Sequence, residues 1–173
     1  MDELQWLIDR GREWVREQRE LHIRDAVVLP PQLIARVSSF FEESVFGRAR
    51  MKVVEEISNP AFYSELMIAG EPIPIDFSQM AGIVFKDIIL LSMRHMPKND
   101  TIPLFFHELV HIVQYQYLGI DKYVDLYVRG WAMHNRLYNA IPLEEHAYKL
   151  QERFEAREAF DVNAEVKAYL QNY

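Results

Sequence analysis

Residues 104–119 contain the pattern H-E-x-x-H, formed by His107, Glu108 and His111. Each helical residue advances by about 100°, so two histidines four positions apart lie on the same face of a helix. Their imidazole nitrogens can then bind one ion, and Zn²⁺ suits such a pair. The adjacent Glu108 stands where a base would act on a zinc-bound water. This spacing constrains the chain more than any other feature of its sequence.

Apolar residues surround the motif, which makes unpartnered polar groups at this place costly. Six of them flank the two histidines: Phe105, Phe106, Leu109, Val110, Ile112 and Val113. A helix that is apolar on nearly every side is buried. Buried imidazoles and carboxylates need a metal ion or a dense hydrogen-bond network, because their desolvation is expensive. We therefore predict a metal site, and the alternative is a hydrogen-bonded cluster without metal.

The composition narrows the metal chemistry and the function classes. The chain has no cysteine, so disulfides and thiolate ligands are excluded and a metal must take nitrogen and oxygen donors. A net charge of −7 without a basic patch argues against a nucleic-acid partner. No signal peptide is visible, and no uncharged apolar run approaches the ~20 residues of a membrane span. We expect a cytoplasmic protein, with non-classical export as the open alternative.

The periodicity of apolar residues predicts an α+β fold that is mainly helical, with a sheet of about three strands before the motif helix. We expect one domain over residues 1–173, with an amphipathic N-terminal helix at about 2–21 packed on it. Strands are predicted at 50–57, 81–85 and 88–92. The last two form a hairpin about Lys86-Asp87, and the second arm, apolar on both faces, is an inner strand.

Caps and breakers mark the predicted helices, which cover residues 32–45, 59–66, 122–138, 142–159 and 161–173. Asn59 is expected to cap the second of these. Asp100 or Thr101 is expected to cap the motif helix, and Gly119 is expected to end it.

A catalytic zinc needs three protein ligands, and the candidates for the third are His134, Glu144, Glu145 and His146. On the helix at 142–159, Glu144 lies at the edge of the apolar stripe, whereas Glu145 points to solvent. His146 lies on the opposite flank, and His134 belongs to another helix. Helical phase therefore favours Glu144, with His134 and His146 as open alternatives.

The two motifs together resemble the gluzincin group of zinc metallopeptidases. In that group H-E-x-x-H is followed by a helix bearing a glutamate, often as E-x-x-A-[D/Y], and Glu144, Ala147 and Tyr148 match this second pattern. The form H-E-L-x-H-x-x-Q also resembles small, largely uncharacterised bacterial peptidase-like domains. The resemblance covers about residues 83–151. It implies a zincin-like fold with a strand along the cleft, and His107, His111 and Glu144 as zinc ligands.

These residues predict a zinc-dependent metallopeptidase acting on a peptide or protein substrate. Zinc would activate a water, and Glu108 would take its proton as general base and pass it to the leaving amine. Gln114 either orients a ligand histidine by a hydrogen bond or packs between two helices, and Tyr148 is a candidate to orient the ligands. The helix between the motifs offers donors for the oxyanion: Tyr127, Arg129, His134 and Tyr138. For the two tyrosines of that helix, the alternative is a place in the core or at its rim, and for Arg129 it is a solvated position.

A second hypothesis is a non-catalytic zincin-fold binding or scaffold protein with a structural zinc. The intact Glu108 favours the enzyme, because a structural site does not need that carboxylate. Self-inhibition by the N-terminal helix or the C-terminal tail is a third hypothesis that no residue selects.

Overall fold

The computed structural model describes residues 3–173, which form seven α-helices and four short strands. The helices are α1 (Glu3–His22), α2 (Pro31–Val37), α3 (Glu43–Arg48), α4 (Tyr63–Ile68), α5 (Ile102–Met133), α6 (Pro142–Glu155) and α7 (Val162–Leu170). The strands are β1 (Val27–Val28), β2 (Arg50–Val54), β3 (Gly82–Phe85) and β4 (Ile88–Ser92). Short 3₁₀ turns are Ser38–Phe40, Phe77–Gln79 and Tyr138–Ala140. The prediction of a mainly helical α+β fold is confirmed.

The four strands form one mixed sheet in the order β1-β2-β4-β3. β2 and β4 are parallel, and the other two pairs are antiparallel. The predicted hairpin is present, and Lys86 turns it with a φ of 65°. All five residues of β4 are buried, as expected of an inner strand. The sequence did not predict β1, which is only two residues long, and the strand expected at 50–57 ends at Val54.

Helix α1 packs its apolar face on the body, as its periodicity predicted. Leu7, Ile8, Trp14 and Val15 are its buried residues. The predicted first residue, Asp2, lies outside the described residues. Arg19 joins the helix to the hairpin turn, because its Nε and Nη2 donate to the two carboxylate oxygens of Asp87 at 2.7 and 2.9 Å. Within residues 3–173, no helix has the length and apolar character needed to cross a bilayer.

The prediction of one continuous helix over 32–45 is wrong, because the backbone is extended at Phe41 and Glu42. The Asn163 side chain accepts a hydrogen bond from the Glu42 N–H at 3.1 Å, which satisfies the backbone in its extended form. The break lets Phe40 and Phe41 both pack on Phe106, with ring centroids 5.7 and 5.1 Å away. Consecutive residues of a continuous helix would point about 100° apart.

The expected cap at Asn59 is also wrong. Helix α4 begins later, at Tyr63, and has no side-chain cap. Asn59 instead accepts from the Phe77 N–H at 2.7 Å and donates to Asp76 at 2.8 Å. Its side chain therefore fixes the loop before β3 rather than a helix start.

Helix α5 joins two predicted helices across a kink at Gly119. Asp100 accepts from the Ile102 N–H at 2.9 Å at the beginning of α5. Gly119 interrupts the helix as expected, with φ 69° and ψ 173°, but the helix resumes at once and ends at Met133 rather than near 138. Asn135 and Arg136, both with positive φ, turn the chain away. Helix α6 ends before residue 159 in the same way, because Arg157 has a φ of 61°.

Candidate metal centre

Three buried donor atoms converge between α5 and α6. His107 Nε2 lies 3.0 Å from His111 Nε2, and Glu144 Oε2 lies 3.2 and 3.3 Å from these two nitrogens. The exposed fractions of the three residues are 5, 4 and 3 %. The H-E-x-x-H spacing places both histidines on one face of α5, and the first turn of α6 adds the carboxylate. Helical phase thus selected the glutamate that joins the pair.

The donor spacing fits a small divalent cation. A tetrahedral site with bonds of about 2.05 Å to nitrogen has donor–donor edges of about 3.3 Å, close to the three separations observed. Two imidazoles and a carboxylate are donors that zinc and its transition-metal neighbours accept. His107, His111 and Glu144 can therefore hold a metal ion.

The electrostatics of these three residues also favour a positive charge between them. Burial alone lowers the pKa of His111, but the Glu144 carboxylate outweighs it and raises the pKa to about 9. Burial likewise opposes ionisation of Glu144, yet the two histidines hold its pKa well below the usual range. The pKa of His107 is lowered, mainly by burial. The group thus keeps its carboxylate ionised and attracts a cation.

Gln114 contacts both a histidine of the triad and the neighbouring helix. Its Oε1 lies 2.8 Å from His111 Nδ1, and its Nε2 donates to the Leu143 carbonyl at 3.0 Å. Gln114 Oε1 can only accept, so Nδ1 of His111 carries a proton; in the neutral imidazole, the form that binds a metal, Nε2 then bears no hydrogen and faces the triad. The sequence offered orientation of a ligand or helix packing, and the side chain does both.

Two tyrosines after the kink complete the surroundings of the triad. Tyr127 donates to Glu144 Oε1 at 2.7 Å, while Oε2 of the same carboxylate faces the histidines. The Tyr123 hydroxyl lies 3.2 Å from His111 Nδ1. From the sequence, Tyr127 was predicted to serve the oxyanion or the core, and Tyr123 was not predicted to have a role. The two tyrosines are four residues apart, as the two histidines are, and this spacing could have indicated that both face the triad.

Glu108 lies beside the triad but is not part of it. It is 3 % exposed and packs against Gly82, where an added Cβ would be 2.4 Å from Glu108 Oε1. Burial raises the pKa of this carboxyl to about 8. The negative charge of Glu144 also raises the pKa, and the charge of His111 lowers it. The first residue of β3 must therefore lack a side chain if the carboxylate is to hold this position.

Two spaces meet at Glu108. The first, termed the apolar cavity, has a volume of about 100 Å³ and lies between α1, β3 and the second half of α5. The second, termed the open cleft, runs beside α6 and the start of α5. Tyr138 and Gly82 line both spaces together with Glu108. A ligand in either space can therefore reach this carboxylate.

The other predicted residues are placed as follows. Tyr148 packs its ring 4.5 Å from the His107 ring at the open cleft. His134 is exposed at the end of α5, where its Nδ1 donates to the Gly130 carbonyl at 2.8 Å. His146 stacks on Tyr169 at 4.0 Å. Neither of these last two histidines belongs to the triad.

Two charged candidates lie at the surface. Arg129 pairs with Asp125 at 3.0 Å, and Glu145 pairs with Lys149 at 2.8 Å. These pairs are exposed to solvent, as helical phase indicated for Glu145. Neither residue belongs to the triad.

Replacing Gln114 with alanine is expected to weaken metal binding by about 10- to 100-fold, because His111 loses the acceptor that fixes its orientation. Competition with a chromogenic chelator measures this change in affinity. Gln32→Ala, the same exchange at an exposed position of α2, is the control and should leave the affinity unchanged. Equal affinities of the Gln114 variant and the parent would show that this hydrogen bond does not orient the ligand.

Comparison of the chain with protein-family models, with curated proteins and with solved structures gave no significant match in any of the three. The described residues thus show a buried His107/His111/Glu144 group that can bind a metal, and the function is inferred from this geometry.

Proposed function

We propose that this chain is a zinc metallopeptidase of the gluzincin type, which hydrolyses peptide bonds. The observation that carries the proposal is the position of Glu108. A buried carboxylate that is not a ligand but borders the metal triad, the apolar cavity and the open cleft suits a proton-transfer role. A purely structural site has no use for it.

His107, His111 and Glu144 would hold the zinc, and nitrogen and oxygen donors without thiolate are the set found in catalytic sites of this class. When bound there, Zn²⁺ supplies a Lewis acid and lowers the pKa of a coordinated water from 15.7 to about 7. Gln114 and Tyr127 keep His111 and Glu144 in place through the hydrogen bonds described above. These contacts support a preorganised site.

Glu108 would accept the proton of the attacking water and later donate it to the leaving amine. Burial raises the pKa of this carboxyl, and a cation held by the triad would lower it again toward the range in which a glutamate both accepts and donates a proton. Gly82 lets the carboxylate approach the first residue of β3. Since β3 is an edge strand, an extended peptide can pair with it and pass Glu108.

A second candidate function is a binding protein with a structural zinc, and the burial of the triad favours it. All three residues are at least 95 % buried, as in closed structural sites. Such a site usually has four protein ligands, whereas the described residues bring together three.

Zinc loading followed by a peptide-library assay tests the proposal. We expect about one zinc per chain by elemental analysis, together with peptide cleavage that chelation abolishes and added zinc restores. Chelator with excess zinc is the control for direct effects of the chelator. Full zinc occupancy without cleavage across a broad library would favour the structural alternative instead.

A further inference from the structure

The apolar cavity extends to the candidate metal centre, and most of the side chains that line it are apolar. Among the described residues, Glu108, His111 and Glu144 are the lining residues that carry ionisable acid or imidazole groups. All the others are aliphatic, aromatic, proline, methionine or glycine; five of the aromatic residues are tyrosines, and Tyr123 and Tyr127 direct their hydroxyls to the triad. The polar groups of the site therefore border a space that is otherwise apolar.

Elements far apart in sequence build the walls of this cavity. Leu7 and Trp14 of α1 face Val124 and Val128 of the second half of α5. Gly11 allows the two helices to approach, since an added Cβ would lie 3.1 Å from Val124 Cγ1. The loop from 60 to 80 and strand β3 supply the remaining walls.

The chemistry of the lining decides which group can occupy the cavity. Water in such a space finds few hydrogen-bond partners, so an apolar group displaces it at a gain. A carboxylate would face the Glu144 charge and meet no lysine or arginine among the lining residues. A cavity of about 150 Å³ lined by apolar side chains accommodates benzene, so about 100 Å³ corresponds to a leucine-sized group.

We propose that the apolar cavity binds an uncharged aliphatic side chain of the substrate, of about leucine size, next to the bond to be cleaved. This inference rests on the proposed function, because it assigns the cavity to the substrate of that site. It identifies the substrate class as peptides or amides with an aliphatic residue at the scissile bond. The open cleft then takes the rest of the substrate.

A series of hydroxamates tests this assignment on the zinc-loaded protein. Acetohydroxamate anchors to the metal, and butano- and pentanohydroxamate extend an alkyl chain from it. Each added methylene should increase the affinity about threefold to fourfold, so pentanohydroxamate should bind about 30- to 60-fold more tightly than acetohydroxamate by calorimetry. Succinic monohydroxamate, of similar length with a terminal carboxylate, should gain nothing. Equal affinities along the alkyl series would overturn the inference.

Cavity-filling variants locate the binding of the alkyl chain. Val128→Phe fills the cavity from α5, and Met80→Phe fills it from the opposite loop. Each should reduce the gain from acetohydroxamate to pentanohydroxamate to below about threefold, with acetohydroxamate affinity unchanged. Val53→Phe, the same exchange on an exposed strand position, is the control and should keep the full gain. A full gain in both filling variants, shown to be folded by their thermal transitions, would place the chain elsewhere.

Alkyl amides separate this inference from the proposed function, because they need no metal. Acetamide, butanamide and pentanamide are titrated into metal-free protein and followed by NMR. Affinity that rises with chain length and is lost in Val128→Phe supports the cavity, even if zinc binding or hydrolysis fails. Affinity independent of chain length overturns the inference, even if the protein proves to be a peptidase.

Discussion

Replacing Glu108 with glutamine is expected to lower the rate of peptide hydrolysis by about 10²- to 10⁴-fold while zinc stays near one per chain. Glutamine has the shape of glutamate but cannot accept the proton of the attacking water. Because Glu108 is not part of the triad, the metal donors are unchanged. The measurements are kcat/KM on a cleaved library peptide and zinc content by elemental analysis.

The matched control is Glu145→Gln, an exposed glutamate paired with Lys149 on α6, which should keep the parental rate. Gly82→Ala tests the same carboxylate by another route, since the new Cβ would collide with Glu108. It should lower the rate without removing zinc. Gly47→Ala should leave the rate unchanged, because the added Cβ would contact nothing within 4 Å beyond the local backbone. A Glu108→Gln protein with undiminished activity would disprove the proposed general base.

The second large effect concerns the triad itself. Glu144→Gln and His107→Ala are each expected to abolish stoichiometric zinc binding, because each removes one of three converging donors. Zinc at 1,000 times its dissociation constant would stabilise the parent by about 4 kcal/mol, which raises the Tm of a chain of this size by about 8–16 °C. Both variants should lose this increase. Elemental analysis and thermal melts with and without zinc provide the readouts.

His134→Ala is the control for His107→Ala, because His134 is exposed at the end of α5 and was an alternative third ligand. It should keep both the zinc and the zinc-dependent increase in Tm. The opposite pattern, with zinc retained in Glu144→Gln and lost in His134→Ala, would show that the third ligand has been wrongly assigned.

The sequence predicted what depends on local periodicity. His107 and His111 lie on the same face of α5 because they are four residues apart. The choice of Glu144 as the third ligand followed from its angular position on α6. The hairpin and the inner strand followed from a turn and an apolar run. In each case neighbouring residues determine the outcome, so helical or strand geometry alone carries the inference.

What the sequence did not predict depends on contacts between distant segments. The break after α2 requires Asn163 to satisfy the Glu42 N–H, from 121 residues further along the chain. The contact of Tyr127 with Glu144 requires the direction in which α5 leaves Gly119. The periodicity of the sequence gives no information on either of these two contacts. The apolar cavity, which needs α1 and α5 side by side, was missed for the same reason.

Because α5 bends at Gly119, this one helix supplies both the imidazoles of the triad and the phenols of Tyr123 and Tyr127 that contact it. Among the side chains in direct contact there, Glu144 comes from the next helix, 37 residues after His107. The triad and its two tyrosines thus all lie within residues 107–144. Helix α1, from the far end of the chain, lines the apolar cavity and supplies none of the three donor atoms. Changes in α1 can thus retune ligand preference during evolution while the ion-binding core is inherited intact.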